Sequence, residues 1–223
     1  IRFLLLKVLS RKSQSKTISS LFFKIVEEMG VLSLIFFVYF IIVLYKSSLF
    51  IGFPRWSFIP QDKTFSLSVI GKAESKDGVN FKNREVFISP EHPWERYGCE
   101  DPRVTKIDGK YFIFYTALSA FPLNIPEGIR VGLAISKDMK KVSEKHLITP
   151  FNAKAMTLFP EKINGKYVAL LTVNPDKLPT HLAVAEINKL EDMWDEKYWK
   201  KWYKDLNKHI FIHGDDIDRI EIG

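Results

Sequence analysis

Two stretches decide the fold: Ile107-Asp-Gly-Lys-Tyr-Phe-Ile-Phe-Tyr-Thr-Ala117 and Ile163-Asn-Gly-Lys-Tyr-Val-Ala-Leu-Leu-Thr-Val173. They align without gaps at an offset of 56 residues, from position 107 to position 163. Each is a tight Asx-Gly turn that opens an apolar, β-branched and aromatic strand. A second pair, Gly71-Lys-Ala-Glu-Ser-Lys-Asp77 and Gly132-Leu-Ala-Ile-Ser-Lys-Asp138, aligns at an offset of 61, from 71 to 132. Each member is an alternating strand ending in a Ser-Lys-Asp turn. Return strands ending in proline follow, at Phe87-Ile-Ser-Pro90 and Leu147-Ile-Thr-Pro150. Leu182-Ala-Val-Ala-Glu-Ile187 is a third, weaker copy.

A period of 55–60 residues with several short strands per unit is a repeat signature. The apolar pattern has period two, which excludes helix-pair solenoids. The expected fold is all-β, a β-propeller with one blade of about four strands per unit. Residues 55–223 then hold roughly three blades, fewer than a closed propeller needs. Ser119–Gly128, with Pro122 and Pro126, reads as a blade loop. Lys189–His209 reads as an excursion with one or two short helices. Its Trp194, Tyr198, Trp199, Trp202 and Tyr203 form either a helix face packed on the propeller or a sugar-stacking platform.

The chain has 223 residues, 46% hydrophobic, 14% aromatic and 26% charged. That is ordinary globular composition and excludes a disordered, collagen-like or multi-pass membrane chain. Its single cysteine, Cys99, excludes an internal disulfide and a cysteine-built metal site. The formal net charge is +7, of which +5 falls in residues 1–50. The near-neutral remainder does not indicate a nucleic-acid-binding face.

Residues 1–54 differ from the rest. Met29 to Tyr45 are 17 uncharged residues preceded by basic ones. They read as a membrane anchor with its N-terminus inside, as two buried strands (Leu32–Phe37 and Tyr39–Tyr45), or as a frame error upstream of about residue 55. The chain starts at Ile1, and Ile220-Glu-Ile-Gly223 resembles a strand cut short, so one or both natural ends are expected to be missing. Residues 1–54 are therefore taken as an atypical N-terminal segment, and 55–223 as a partial propeller domain.

Chemistry concentrates in Trp94-Glu-Arg-Tyr-Gly-Cys-Glu-Asp-Pro-Arg103. Pro102 disfavours the helical region for Asp101, so its carboxylate is expected on an extended segment just before the strand at 110–117. Flanked there by Tyr97 and Cys99, it is a candidate general acid. The alternative is a surface turn with Glu–Arg ion pairs. Lys154, before a second apolar strand, is either a phosphate or sugar contact or an exposed lysine. His146, His181, His209 and His213 carry no partner motif. The acidic run from His213 to Glu221 lacks EF-hand spacing and reads as an exposed turn.

Several of these stretches together resemble glycoside hydrolase family 130, the β-mannoside phosphorylases and related β-mannosidases. They are Tyr97-Gly-Cys-Glu-Asp-Pro-Arg103, Ile107–Tyr111, Tyr115-Thr-Ala117 and Leu158-Phe-Pro-Glu-Lys-Ile-Asn-Gly-Lys-Tyr167. Ser75–Phe81, Trp194–Tyr203 and Asp218–Gly223 fit the same pattern. The resemblance implies a five-bladed β-propeller, incomplete in this chain. It implies cleavage of β-mannosidic bonds with inversion, by phosphorolysis to mannose 1-phosphate or by hydrolysis. Asp101 would be the general acid, acting through a sugar hydroxyl. Tyr97, Glu100, Arg103 and Lys154 would bind substrate, and Lys154 also phosphate. Lys46, within Val43-Leu-Tyr-Lys-Ser47, is the nearest counterpart of a sugar-binding arginine in the family's first blade. Thr172-Val173 stand where many phosphorylases have His-Arg, and this leaves hydrolysis open. No metal or organic cofactor is implied, inorganic phosphate being the co-substrate of a phosphorylase. The expected partner is a β-manno-oligosaccharide, with a homo-oligomer allowed. A cytoplasmic setting is favoured over membrane anchoring. The alternative function is a non-catalytic carbohydrate-binding propeller or an inactive fragment.

Overall fold

In the computed structural model, residues 67–214 are described, together with the backbone of the strand Ser48–Phe50. Three antiparallel sheets succeed one another along the chain. The first pairs β1 (Ser48–Phe50), β2 (Ile70–Ser75) and β3 (Lys82–Ile88). The second is a four-stranded meander of β4 (Gly98–Ile107), β5 (Lys110–Leu118), β6 (Ile129–Ser136) and β7 (Glu144–Leu147). The third repeats it with β8 (Ala153–Leu158), β9 (Tyr167–Val173), β10 (His181–Ile187) and β11 (Ile210–Ile212).

The sequence repeats fall on matching positions. The Asp108-Gly109 and Asn164-Gly165 turns both have positive φ at their two central residues, 50° and 75° in one and 52° and 77° in the other. That geometry suits the twist of a hairpin and needs Asx and Gly. The Ser-Lys-Asp turns also match. Ser75 Oγ accepts from the Gly78 N–H at 2.8 Å, and Ser136 Oγ accepts from the Met139 N–H at 3.0 Å. In the first turn Asp77 Oδ1 also takes the N–H groups of Val79 and Asn80 and the Ser75 hydroxyl. Hydrogen bonds from Asn80, Val79 and Ser75 hold this exposed carboxyl well below the usual range.

The sheets stack face to face, and β5 shows why its sequence is apolar on both sides. Phe112 and Phe114 face the third sheet and share a core with Leu133, Met156, Leu158, Leu171, Trp199 and Trp202. Ile113, Tyr115 and Ala117 point the other way, into a core with Ile70, Ile88 and Cys99. A strand covered on both faces reads as a continuous apolar run, whatever its neighbours' direction. Polar ties cross between sheets: Lys72 Nζ donates to Met139 O at 2.8 Å, and Thr105 Oγ1 donates to Leu158 O at 2.8 Å.

Between β10 and β11 lie a 3-10 turn at Leu190–Trp194, the helix α1 (Glu196–Lys204) and a second 3-10 turn at Leu206–Lys208. Asp195 caps α1 by accepting from the Lys197 N–H at 2.9 Å, with Lys201 and Lys204 in the last turn. Trp199 and Trp202, three apart and so on one face, are buried. Their indole N–H groups donate to Met193 O at 2.8 Å and Val184 O at 3.2 Å. Phe151 stacks on Trp202 and on Tyr203. Of the two readings of this aromatic run, packing holds for these tryptophans.

Residues 29–45, Lys46 and the acidic positions from Asp215 onward lie outside the described residues. Among the described residues no helix is long and apolar enough to cross a membrane.

Candidate active site

The Glu100-Asp101-Pro102-Arg103 stretch lies inside β4, the first strand of its meander and the one that leads into β5. Glu100 pairs with Thr116 and Arg103 with Phe114. Three steps on β4 therefore face two steps on β5, so one residue is extra and β4 bulges. Asp101 takes up the excess at φ 50°. This corrects the expectation of an extended Asp101. Pro102 does keep it out of the right-handed helical region, but the bulge turns it into the left-handed one. Asp tolerates that region better than most residues because its short side chain bonds locally. The Asp101 side chain is exposed, while Pro102 behind it is buried.

The third sheet repeats this device. Lys154 pairs with Thr172 and Thr157 with Leu170, again three steps against two. Ala155 takes up the excess at φ 55°. Register thus makes Glu100 equivalent to Lys154 and Asp101 to Ala155. The strands β4 and β8 adjoin, and Thr105 bonds one to the other. Two left-handed bulges, one acidic and one carrying a lysine, lie at the same end of neighbouring sheets. Backbone held in a costly region by its surroundings is a common mark of a functional site.

The other predicted residues, Lys46 apart, gather at this end. Glu100 Oε1 accepts from the Ser68 hydroxyl at 2.5 Å, which ties β4 to the segment before β2. The Cys99 N–H donates to Ser68 O at 2.9 Å. Arg103 Nη1 donates to the Asp101 backbone carbonyl at 3.2 Å, bracing the bulge. Burial lowers the pKa of Arg103, opposed by the Asp101 charge. Tyr97, half-buried just before β4, donates its N–H to Leu118 O at 2.9 Å and lies beneath Arg96. Lys154 is half-buried on its bulge.

Cys99 does not flank the carboxyl group of Asp101. It is fully buried in the core with Ile113 and Tyr115, its Sγ donating to Glu95 Oε1 at 3.6 Å. Burial, then the Glu95 charge, pushes its thiol up, so it is not a nucleophile.

Sequence reading missed the group that Cys99 meets. Glu95 is fully buried in a 3-10 turn, Pro93–Glu95. Its Oε2 accepts from the N–H groups of Glu91 at 2.8 Å and His92 at 3.0 Å. Its Oε1 accepts from the Tyr115 hydroxyl and from Lys145 Nζ, the latter at 3.1 Å. Lys145 also donates to Ser89 O at 2.6 Å and pairs with Glu91 at 3.2 Å. Burial opposes the Glu95 charge. Hydrogen bonds from Tyr115 and the Glu91 backbone, with Lys145, outweigh it and hold the carboxyl below its ordinary value. The only signal in the sequence was a glutamate two residues after a proline in an aromatic-rich stretch.

Three of the histidines have defined partners. His146 stacks on Trp194 at 4.2 Å, His209 on Trp202 at 4.9 Å, and His181 Nδ1 accepts from the Gly214 N–H at 3.2 Å. Among the described residues no three His, Cys, Asp or Glu side chains are grouped to hold a metal ion.

Comparison with known proteins gives these residues a context. The sequence profile of the beta-1,4-mannooligosaccharide phosphorylases, glycoside hydrolase family 130, matches residues 41–209. A 1,2-beta-oligomannan phosphorylase from Thermoanaerobacter sp. is 38% identical over 132 residues, 59% of this chain and 42% of the relative. A beta-1,2-mannobiose phosphorylase from Listeria innocua is 38% identical over 107 residues, 47% of this chain and 28% of the relative. The solved complex of a Listeria innocua beta-1,2-mannobiose phosphorylase with beta-1,2-mannobiose aligns with TM-score 0.46 and 31% identity, covering 58% of this chain and 35% of that one. The chain spans about two fifths or less of the curated relatives it matches.

Proposed function

The chain belongs to glycoside hydrolase family 130, and on that premise we propose that it cleaves β-mannosidic bonds by phosphorolysis, with inversion. Asp101 is the general acid, giving its proton to the glycosidic oxygen through a sugar hydroxyl. A phosphate oxygen attacks the anomeric carbon from the opposite face as the bond to the leaving sugar breaks. The products are mannose 1-phosphate and a chain one sugar shorter.

The observation that carries this reading is the pair of matched bulges, with Asp101 on one and Lys154 beside the other. An acid and a cation from adjoining strands suit a reaction with one neutral and one anionic partner. Phosphate brings its own charge, so the site needs a cation to hold it rather than a second carboxylate as base. Lys154 supplies that cation in this reading, and Glu100, Arg103 and Tyr97 contact the sugar. No metal or organic cofactor enters the step.

The whole protein is, in this proposal, a five-bladed β-propeller, with the two complete meanders as two of its blades. The stacking of successive sheets and the family membership support this. A cytoplasmic setting belongs to the proposal too, because an anionic sugar phosphate does not cross a membrane unaided.

The test is product identification. The protein is incubated with β-1,2- and β-1,4-linked mannobiose, with and without inorganic phosphate, and followed by phosphorus NMR. Mannose 1-phosphate formed only with phosphate is the expected result. Free mannose formed equally without phosphate would replace phosphorolysis with hydrolysis.

A further inference from the structure

Glu100 is held by a residue from outside its own sheet. Ser68, two residues before β2, donates its hydroxyl to Glu100 Oε1 at 2.5 Å, a length typical of a hydroxyl bonded to a carboxylate. The backbones are tied as well. Ser68 lies beside Gly98 in an isolated parallel bridge, and Ser68 O accepts from the Cys99 N–H at 2.9 Å. Ser68 thereby covers the start of the β4 edge that β5 leaves open.

The sequence makes room for this approach. Gly98 sits at φ 134°, where other residues are strained, and a Cβ there would stand 3.0 Å from Ser68 N and 3.1 Å from Ser68 Cβ. Any side chain at position 98 would push Ser68 away from β4. Thr116, the cross-strand partner of Glu100, does not share the task. Its hydroxyl is buried and has no hydrogen-bond partner among the described residues. The tie to Ser68 ends one residue before the bulge that carries Asp101.

We propose that Ser68 is a positioning residue: it fixes the Glu100 carboxylate before the sugar arrives, so that Glu100 Oε2 accepts from a sugar hydroxyl. The proposal rests on the reading above of Glu100 as a contact to a β-mannoside. A glutamate has several rotatable bonds, and a contact that must freeze them on binding loses part of its worth. Ser68 freezes them in advance. It occupies one carboxylate oxygen and leaves the other to the substrate. Removing the Ser68 hydroxyl keeps Asp101 and Lys154 intact. The loss should therefore fall on sugar binding, and not on phosphate binding or on the chemical step.

The test is steady-state kinetics on the full chain, with inorganic phosphate and whichever mannobiose the parent cleaves. Ser68→Ala should raise the KM for mannobiose about three- to tenfold, with kcat and the KM for phosphate within about twofold of the parent. Ser68→Thr keeps the hydroxyl and should restore the mannobiose KM. In a Glu100→Ala background, Ser68→Ala should add no further loss of kcat/KM, because its effect runs through that carboxylate. Ser75→Ala removes a hydroxyl at the far end of β2, where it accepts from the Gly78 N–H. That variant should melt at a lower temperature with the mannobiose KM unchanged, which separates stability from positioning. An unchanged mannobiose KM in Ser68→Ala, an equal rise in the phosphate KM, or a full further loss in the Glu100→Ala background overturns the positioning role alone. A parent that turns over no mannobiose overturns the β-mannoside reading, and the role of Ser68 with it.

Discussion

Asp101 and Ala155 occupy the same position in successive first strands, each the extra residue of a bulge, at φ 50° and 55°. The chain repeats a costly conformation in adjoining sheets and puts chemically different neighbours on it. One bulge offers two carboxylates and a proline, the other a lysine and an alanine. Chemically different side chains are thus presented on a repeated scaffold.

The cost of the second bulge can be measured directly. Alanine gains no local side-chain bond that offsets the left-handed region, so Ala155→Gly should stabilise the protein by about 0.5–1 kcal/mol. Ala155→Val should destabilise it by roughly 1–2 kcal/mol, since a β-branched residue fits that region worst. Denaturant unfolding of the two variants reads both values. Equal stabilities would mean that the bulge is not held at positive φ.

Glu95 should govern acid stability. Its folded pKa is lower than its ordinary value of 4.5. The stability it contributes is therefore fully present above about pH 4.5 and is lost as pH falls through the lower folded value. The groups facing it are Tyr115, Lys145, Cys99 and Glu91. Glu95→Ala leaves Lys145 buried without its main counter-charge and should cost about 3–5 kcal/mol at neutral pH. Tyr115→Phe removes one donor and should cost about 1–3 kcal/mol. Thermal unfolding between pH 3 and 7 follows both; a Tyr115→Phe melting curve superimposable on the parent's across that range contradicts the network.

Lys154 should control the phosphate requirement. Lys154→Met keeps the aliphatic stem and removes the charge. The KM for phosphate should rise about tenfold or more, the size of a lost charge-assisted hydrogen bond, with a smaller change in the KM for the sugar. Initial rates at varied phosphate separate the two. A rise confined to the sugar KM would make Lys154 a sugar contact.

The fold was largely legible because its signals are local. The Asx-Gly turns at 108–109 and 164–165 and the Ser-Lys-Asp turns state their own conformations, and their spacing exposes the repeat. Trp199 and Trp202 announce a buried helix face by their separation of three. The bulges were not legible, because they arise from a mismatch of register between two strands that no short window contains. That is why Asp101 read as extended and Cys99 as its neighbour in the pocket. The Glu95 cluster was hidden for the same reason: Tyr115 and Lys145 stand 20 and 50 residues away in sequence. The residues of the candidate site could be named from the motif, but their conformation belongs to the sheet.

The most direct test of the account compares the parent with Asp101→Asn on two substrates, each with inorganic phosphate present. Asparagine tolerates positive φ as well as aspartate does, so the variant should fold and melt like the parent. On mannobiose, whose leaving sugar needs a proton, turnover should fall by about 10²–10⁴. On a dinitrophenyl β-mannoside, whose leaving group departs without one, the rate should stay within about threefold of the parent. Equal losses on both substrates, or no loss on mannobiose, would contradict the assignment of Asp101 as the general acid.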